Sequence, residues 1–191
     1  NFFRSLVPMG LFNYGGLFAI QTLWAGPWMV RVSGYTPEES AKGLFMIYFF
    51  MLISFLVWGF FVPKISKNIN DAIKLLKIGT PFSLIILGLI IYLGPDAGAI
   101  HWTLFVVSAI FLSLSQPAVG MAFTLSNAGK ALTSFNLLLF VGAFFVQWMM
   151  GIIIDLSMNF SFSEIIAFKF AMSFVLISSL LSYLYFLVKN N

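Results

Sequence analysis

Gly43-Leu44-Phe45-Met46-Ile47-Tyr48-Phe49-Phe50-Met51-Leu52-Ile53-Ser54-Phe55-Leu56-Val57-Trp58-Gly59-Phe60-Phe61-Val62 holds no charged residue, and Pro63-Lys64 closes it. A helix needs about 20 mostly apolar residues to cross the hydrocarbon of a bilayer, and this run has that length. Five more runs of the same kind are read at residues 7–30, 75–93, 102–125, 131–154 and 165–188. Between them stand turn formers: Gly34-Tyr35-Thr36-Pro37, Gly94-Pro95-Asp96 and Ser126-Asn127-Ala128-Gly129-Lys130. Alternating strand patterns punctuated by turns are scarce, which argues against a β-barrel. The expectation is an all-α, polytopic membrane protein, a single domain over residues 1–191 with six transmembrane helices.

Composition agrees. Of 191 residues, 61% are hydrophobic and 8% charged, whereas a soluble domain carries roughly 25% charge to cover its surface. Ten basic and six acidic residues are too few for a nucleic-acid face, so no nucleic-acid partner is expected. Zero cysteines exclude a disulfide frame, thiol catalysis and a thiolate metal site, and one histidine excludes a multi-histidine metal site. There is no phosphate-binding or dinucleotide-binding glycine motif. No cofactor, no metal and no enzymatic activity are expected. The run at 7–30 is too long for a signal peptide, and the absence of a starting Met suggests a piece of a longer chain.

Basic residues in short loops set orientation. With six spans, Arg4, Lys64, Lys67, Lys74, Lys77, Lys130 and Lys189 fall on one side, against Arg31, Lys42 and Lys169 on the other. The second side also takes Glu38, Glu39, Asp96, Asp155 and Glu164. Both termini are therefore expected in the cytoplasm.

No Asp, Glu, Lys or Arg lies near the middle of a run, so no coupling carboxylate is visible. The polar inventory is neutral. Asn13, Leu17, Gln21, Trp24 and Trp28 recur at helical spacing and fall within an arc of about 80°, and Tyr14 adjoins them. Asn136 and Gln147 are eleven residues apart, hence about 20° apart around a helix and about 16 Å along it. Gln116 precedes Pro117, which removes a backbone donor and favours a kink. Asn13, Tyr14, Gln21, Trp24, Gln116, Asn136 and Gln147 are thus candidates to line a solute cavity. The competing reading is that the amides hydrogen-bond neighbouring helices.

Three stretches carry a family resemblance: Tyr14-Gly15-Gly16-Leu17-Phe18-Ala19-Ile20-Gln21-Thr22-Leu23-Trp24-Ala25-Gly26-Pro27-Trp28; Ser126-Asn127-Ala128-Gly129-Lys130-Ala131-Leu132-Thr133 running on to Gly151 and Asp155; and Gly59-Phe60-Phe61-Val62-Pro63-Lys64-Ile65-Ser66-Lys67. With six spans and both ends cytoplasmic, the chain resembles the C-terminal half, helices seven to twelve, of a major facilitator superfamily transporter. The third stretch is similar to the superfamily's Gly-x-x-x-Asp-Arg loop, with Pro63 in place of the acid and Ser66 in place of the second glycine. The resemblance implies a 3+3 inverted repeat and a gating loop at Gly59, Lys64 and Lys67. It also implies a cavity lined by the first and fourth helices. The implied activity is secondary transport of a small organic solute by alternating access in a bacterial inner membrane. The partner would be the N-terminal six-helix half. The alternatives are a complete six-helix protein working as a homodimer, with a second copy of this chain as partner, or a non-transporting membrane scaffold.

Overall fold

The computed structural model describes residues 2–190, and among them there is helix and turn but no strand. Five helices are long and apolar enough to cross a membrane, which is consistent with an integral membrane protein: Pro37–Ile65, Ile69–Asp96, Ala99–Met121, Leu125–Asn159 and Glu164–Lys189. They are designated α2 to α6. Residues 2–31, designated α1, form a rod of consecutive pieces. Its α segments Phe2–Pro8, Gly15–Ala19 and Ala25–Arg31 alternate with π segments Met9–Tyr14 and Ile20–Trp24. The backbone stays right-handed helical at each internal junction.

Local chemistry sets the ends. Thr36 opens α2 with a capping box: its hydroxyl accepts the Glu39 amide at 3.2 Å and its amide donates to Glu39 Oε2 at 2.8 Å. That cap carries α2 back to Pro37, six residues before the start expected from hydropathy. The Asn68 side chain caps α3 through the Asn70 and Asp71 amides, so α3 begins at Ile69 rather than 75. The expected turns at Gly34 and Gly94 are present, with φ of 73° and 58° that only glycine adopts without strain. The stretch Ser126 to Lys130, expected to end the fourth run, is instead the first turn of α5. Thr124 is extended, and its carbonyl accepts the Asn127 and Ala128 amides. As a result α4 ends at Met121 and α5 runs for 35 residues.

The helices enclose two apolar clusters stacked along the bundle. One gathers Trp28, Trp102, Met150, Phe168 and Met172. The other gathers Leu6, Leu76, Phe135, Leu139 and Phe186. At the second cluster's end, Asn190 Nδ2 donates to Ser5 Oγ at 2.8 Å and Lys77 Nζ donates to Asn190 O at 2.7 Å. At the opposite end Arg31 pairs with Glu164 at 2.9 Å, and Trp28 Nε1 donates to Ala97 O. α1 and α5 cross with no side chain between them: a Cβ on Gly15 would lie 2.6 Å from the Gly142 carbonyl carbon, and one on Gly142 would lie 2.5 Å from Leu11 O. α2 is the most peripheral helix, burying only Ser40, Gly43 and Ile47. Phe45, Leu56 and Phe60 are more than 60% exposed, a surface suited to hydrocarbon rather than water.

Candidate functional site

Where the two clusters meet, α1, α2 and α4 leave a cavity of about 120 Å³. α1 contributes Tyr14, Leu17, Phe18 and Gln21; α2 contributes Met51, Ser54 and Phe55; α4 contributes Val106, Ala109, Ile110 and Ser113. Met51 and Ile110 are the central residues of Pro37–Ile65 and Ala99–Met121, so the cavity sits at mid-height of both helices.

Its walls are irregular helix. Tyr14 and Gln21 belong to the two π segments, and Ala109, Ile110 and Ser113 belong to a six-residue 3₁₀ segment, Ala109–Leu114, inside α4. A 3₁₀ run of that length and π turns are both uncommon within helices and concentrate at functional positions. The 3₁₀ segment and the second π segment each have a local cause. Pro117 has no N–H for the Ser113 carbonyl four residues back, and Pro27 stands in the same relation to Leu23. On α4, three serines hold the tightened turns: Ser108, Ser113 and Ser115 donate to the carbonyls of Phe105, Ile110 and Leu112. On α1 the Ala25 amide reaches back five residues to Ile20 O instead of four to Gln21 O. The Tyr48 hydroxyl of α2 donates to Gln21 O at 2.7 Å.

Gln21 is the chemically distinctive wall residue. The residue is 7% exposed, and its Oε1 is buried without a hydrogen-bond partner. A buried amide oxygen left unpaired costs about 1–3 kcal/mol. The oxygen has almost no accessible surface, so it is packed away from the space that Gln21 helps to wall. Ser113 is already committed, since it donates to Ile110 O and faces the Trp58 indole N–H at 3.1 Å. No charged side chain lines the cavity.

The other candidates separate. Asn13 turns toward α6, where its Nδ2 reaches Ser179 O and Ser182 Oγ, while its Oδ1 is buried and unpartnered. Trp24 stacks edge-on against Phe168 of α6 with centroids 6.0 Å apart, and its indole N–H lacks a partner. Gln116 Nε2 donates to Asn136 Oδ1 at 3.0 Å, joining α4 to α5. Gln147 Nε2 donates to Thr22 Oγ1 at 3.0 Å, joining α5 to α1. Both of these bridges lie toward the surface. Gly59 is exposed near the end of α2, Lys64 Nζ lies 3.7 Å from the Phe60 ring centroid, and the Lys67 amide donates to Asp71 Oδ2. The single stripe expected on α1 is therefore divided. Each π segment puts an extra residue into a turn, shifting the phase by up to roughly 100°, so Asn13 and Gln21 meet different neighbours.

Sequence reasoning missed the α2 wall and Tyr48. The signal was present: Tyr48 and Ser54 are polar interruptions in the uncharged run 43–62. Compared with protein-family models, curated proteins and solved structures, the chain matches none of them.

Proposed function

We propose that this chain is half of a secondary transporter of the major facilitator type, moving a small organic solute across a bacterial inner membrane by alternating access. On this reading α1 crosses as a sixth span, and α1–α3 and α4–α6 form the inverted repeat with both ends cytoplasmic. The carrying observation is an uncharged cavity halfway along the helices, with Tyr14, Gln21, Ser54 and Ser113 in its wall, the height at which transporters hold solute. Two features support it. Irregular helix at the cavity falls on α1 and α4, the leading helix of each proposed repeat. The link from Asn190 to Ser5 and Lys77 brings both described ends to one side.

The chain has no cysteine, so Ser54→Cys places a single thiol in the cavity wall. In the native protein in its membrane, alternating access requires a membrane-impermeant maleimide to reach that thiol from each side in turn, with the ratio shifted by transported solute. Labelling from one side only, unmoved by any solute, would sink the proposal. Homodimerisation is the second reading, favoured by the exposed Asn136 amide amid Leu137, Phe140 and Phe144 on α5, all at least 60% exposed. An Asn set among such residues calls for a protein neighbour. Disulfide crosslinking from Leu137→Cys between identical chains would favour the homodimer.

A further inference from the structure

We infer that the groove between the start of α1 and the start of α5 docks an anionic phospholipid, its phosphate at Lys130 and its acyl chains over Phe3 and Phe123. The inference needs only a chain embedded in a bilayer and stands apart from the transport reading. Phe3 of α1, Phe123 of the α4–α5 turn, and Asn127, Lys130, Ala131 and Ser134 of α5 line a groove of about 410 Å³, open on one side. Its floor is aromatic and fixed: Phe3 meets Phe123 edge-on with centroids 5.8 Å apart, and it meets the fully buried Phe135 at 6.2 Å. Its rim is polar. Asn127, Lys130 and Ser134 stand three and four residues apart, hence on one face of α5, and all three are exposed. These side chains are largely uncommitted. Among the described residues the ion pairs are Arg31–Glu164 and Lys42–Glu38, both at the other end of the bundle. The Ser134 hydroxyl has no partner there, although Thr133 beside it donates to Gly129 O. The Asn127 side chain makes one long contact, 3.4 Å, to Thr124 Oγ1. Charge selects the headgroup. Of ten basic and six acidic residues, Arg31, Lys42 and Lys169 lie at the far end with every acid except Asp71, which leaves seven bases and one acid at the end holding the groove. No carboxylate lines the groove, so the ammonium of a zwitterionic lipid meets no counter-charge, whereas a net anionic headgroup gains from each base near the surface. The floor selects a molecule with a tail: hydrocarbon laid on Phe3 and Phe123 buries apolar surface that a bare anion leaves exposed.

The test uses the native full chain, delipidated in detergent and titrated with phosphatidylglycerol or phosphatidylcholine of the same acyl chains, with bound lipid counted by native mass spectrometry. Phosphatidylglycerol should be retained in preference. Lys130→Gln, a change at an exposed position, should weaken its retention about fivefold, the share of one base near a charged headgroup. Lys74→Gln removes an exposed base at the same end but outside the groove, and it should leave retention unchanged. Inorganic phosphate at matched concentration should not displace the lipid. Equal retention of the two lipids, or unchanged retention in Lys130→Gln, overturns the inference. So does equal weakening by the two lysine variants, which would spread the attraction over the whole end of the bundle. Displacement by phosphate overturns it in favour of a soluble anion. A chain that retains no phosphatidylglycerol overturns it as well and leaves the groove to a protein segment.

Discussion

Gly15 and Gly142 bring the backbones of α1 and α5 into contact, and a single methyl group there has nowhere to go because its nearest neighbours are backbone atoms. Gly15→Ala should destabilise the protein by about 1–3 kcal/mol, read as a lower midpoint in thermal unfolding. Gly59→Ala is the contrast: nothing lies within 4 Å of its Cβ, and the change should be neutral or slightly stabilising, since Ala favours helix by about 1 kcal/mol over Gly. Asn13 makes a second case at this scale. Replacing it by Leu removes both bonds to α6, and at about 0.6 kcal/mol for an average interhelical bond the expected loss is about 1–2 kcal/mol. If Asn13→Leu unfolds at the wild-type midpoint, the two bonds to Ser179 and Ser182 contribute nothing. The residues themselves were legible in the sequence: Asn13, Gln21, Gln116, Asn136 and Gln147 stood out as amides in apolar runs. Their partners were not, because partner choice depends on rotation about each helix, and the π segments of α1 break the 3.6-residue period on which that rotation was counted.

Helices were legible where apolar length alone defines them and less so where a cap does. Run 43–62 is recovered whole inside α2, yet the helix starts earlier because Thr36 and Glu39 satisfy each other's amides. Thr36→Ala should cost about 1 kcal/mol, and it should appear as faster hydrogen exchange confined to residues 37–42. Exchange unchanged there would mean that packing against Gly26 and Met29 of α1, not the cap, fixes this end. Likewise Ser126 to Lys130 read as a turn because Ser, Asn and Gly cluster there. In the fold the same residues follow an extended Thr124, where small polar side chains suit the opening turn of a helix. Pro117 announced an irregularity in α4, but not that three serines would hold it as a 3₁₀ segment at the cavity.

At the scale of the molecule, what the sequence conveyed was the class: apolar helices with charges confined to their ends. The cavity was not legible, since it is made where α1, α2 and α4 fail to fill space between two clusters, and only three-dimensional packing determines that. The proposed topology has its own check. In the cysteine-free chain, Lys67→Cys and Lys130→Cys should react with an impermeant maleimide only from the cytoplasmic face, and Asp96→Cys and Glu164→Cys only from the opposite face. Any pair reacting from the wrong side would redraw the spans. The peripheral α2 surface is apolar and suits lipid, and on the proposed reading the exposed Gln116–Asn136 and Thr22–Gln147 bridges would put the partner half on the α5 side.

The 35 residues of α5 extend about 52 Å at 1.5 Å per residue, well beyond the roughly 30 Å of hydrocarbon they would cross, while its neighbour α4, with 23 residues, is much closer to that span. Two adjoining rods of such unequal reach cannot both match one bilayer, so α5 must lean or protrude, and acyl-chain length becomes a variable that acts on it selectively. Thicker membranes should draw α5 upright about its glycine crossing with α1, and thinner ones should lay it over. Lipid thickness would then tune this protein through one mismatched helix, a sensitivity that spectroscopic labels on Leu125 and Phe160 in lipids of graded chain length would register as a change in tilt.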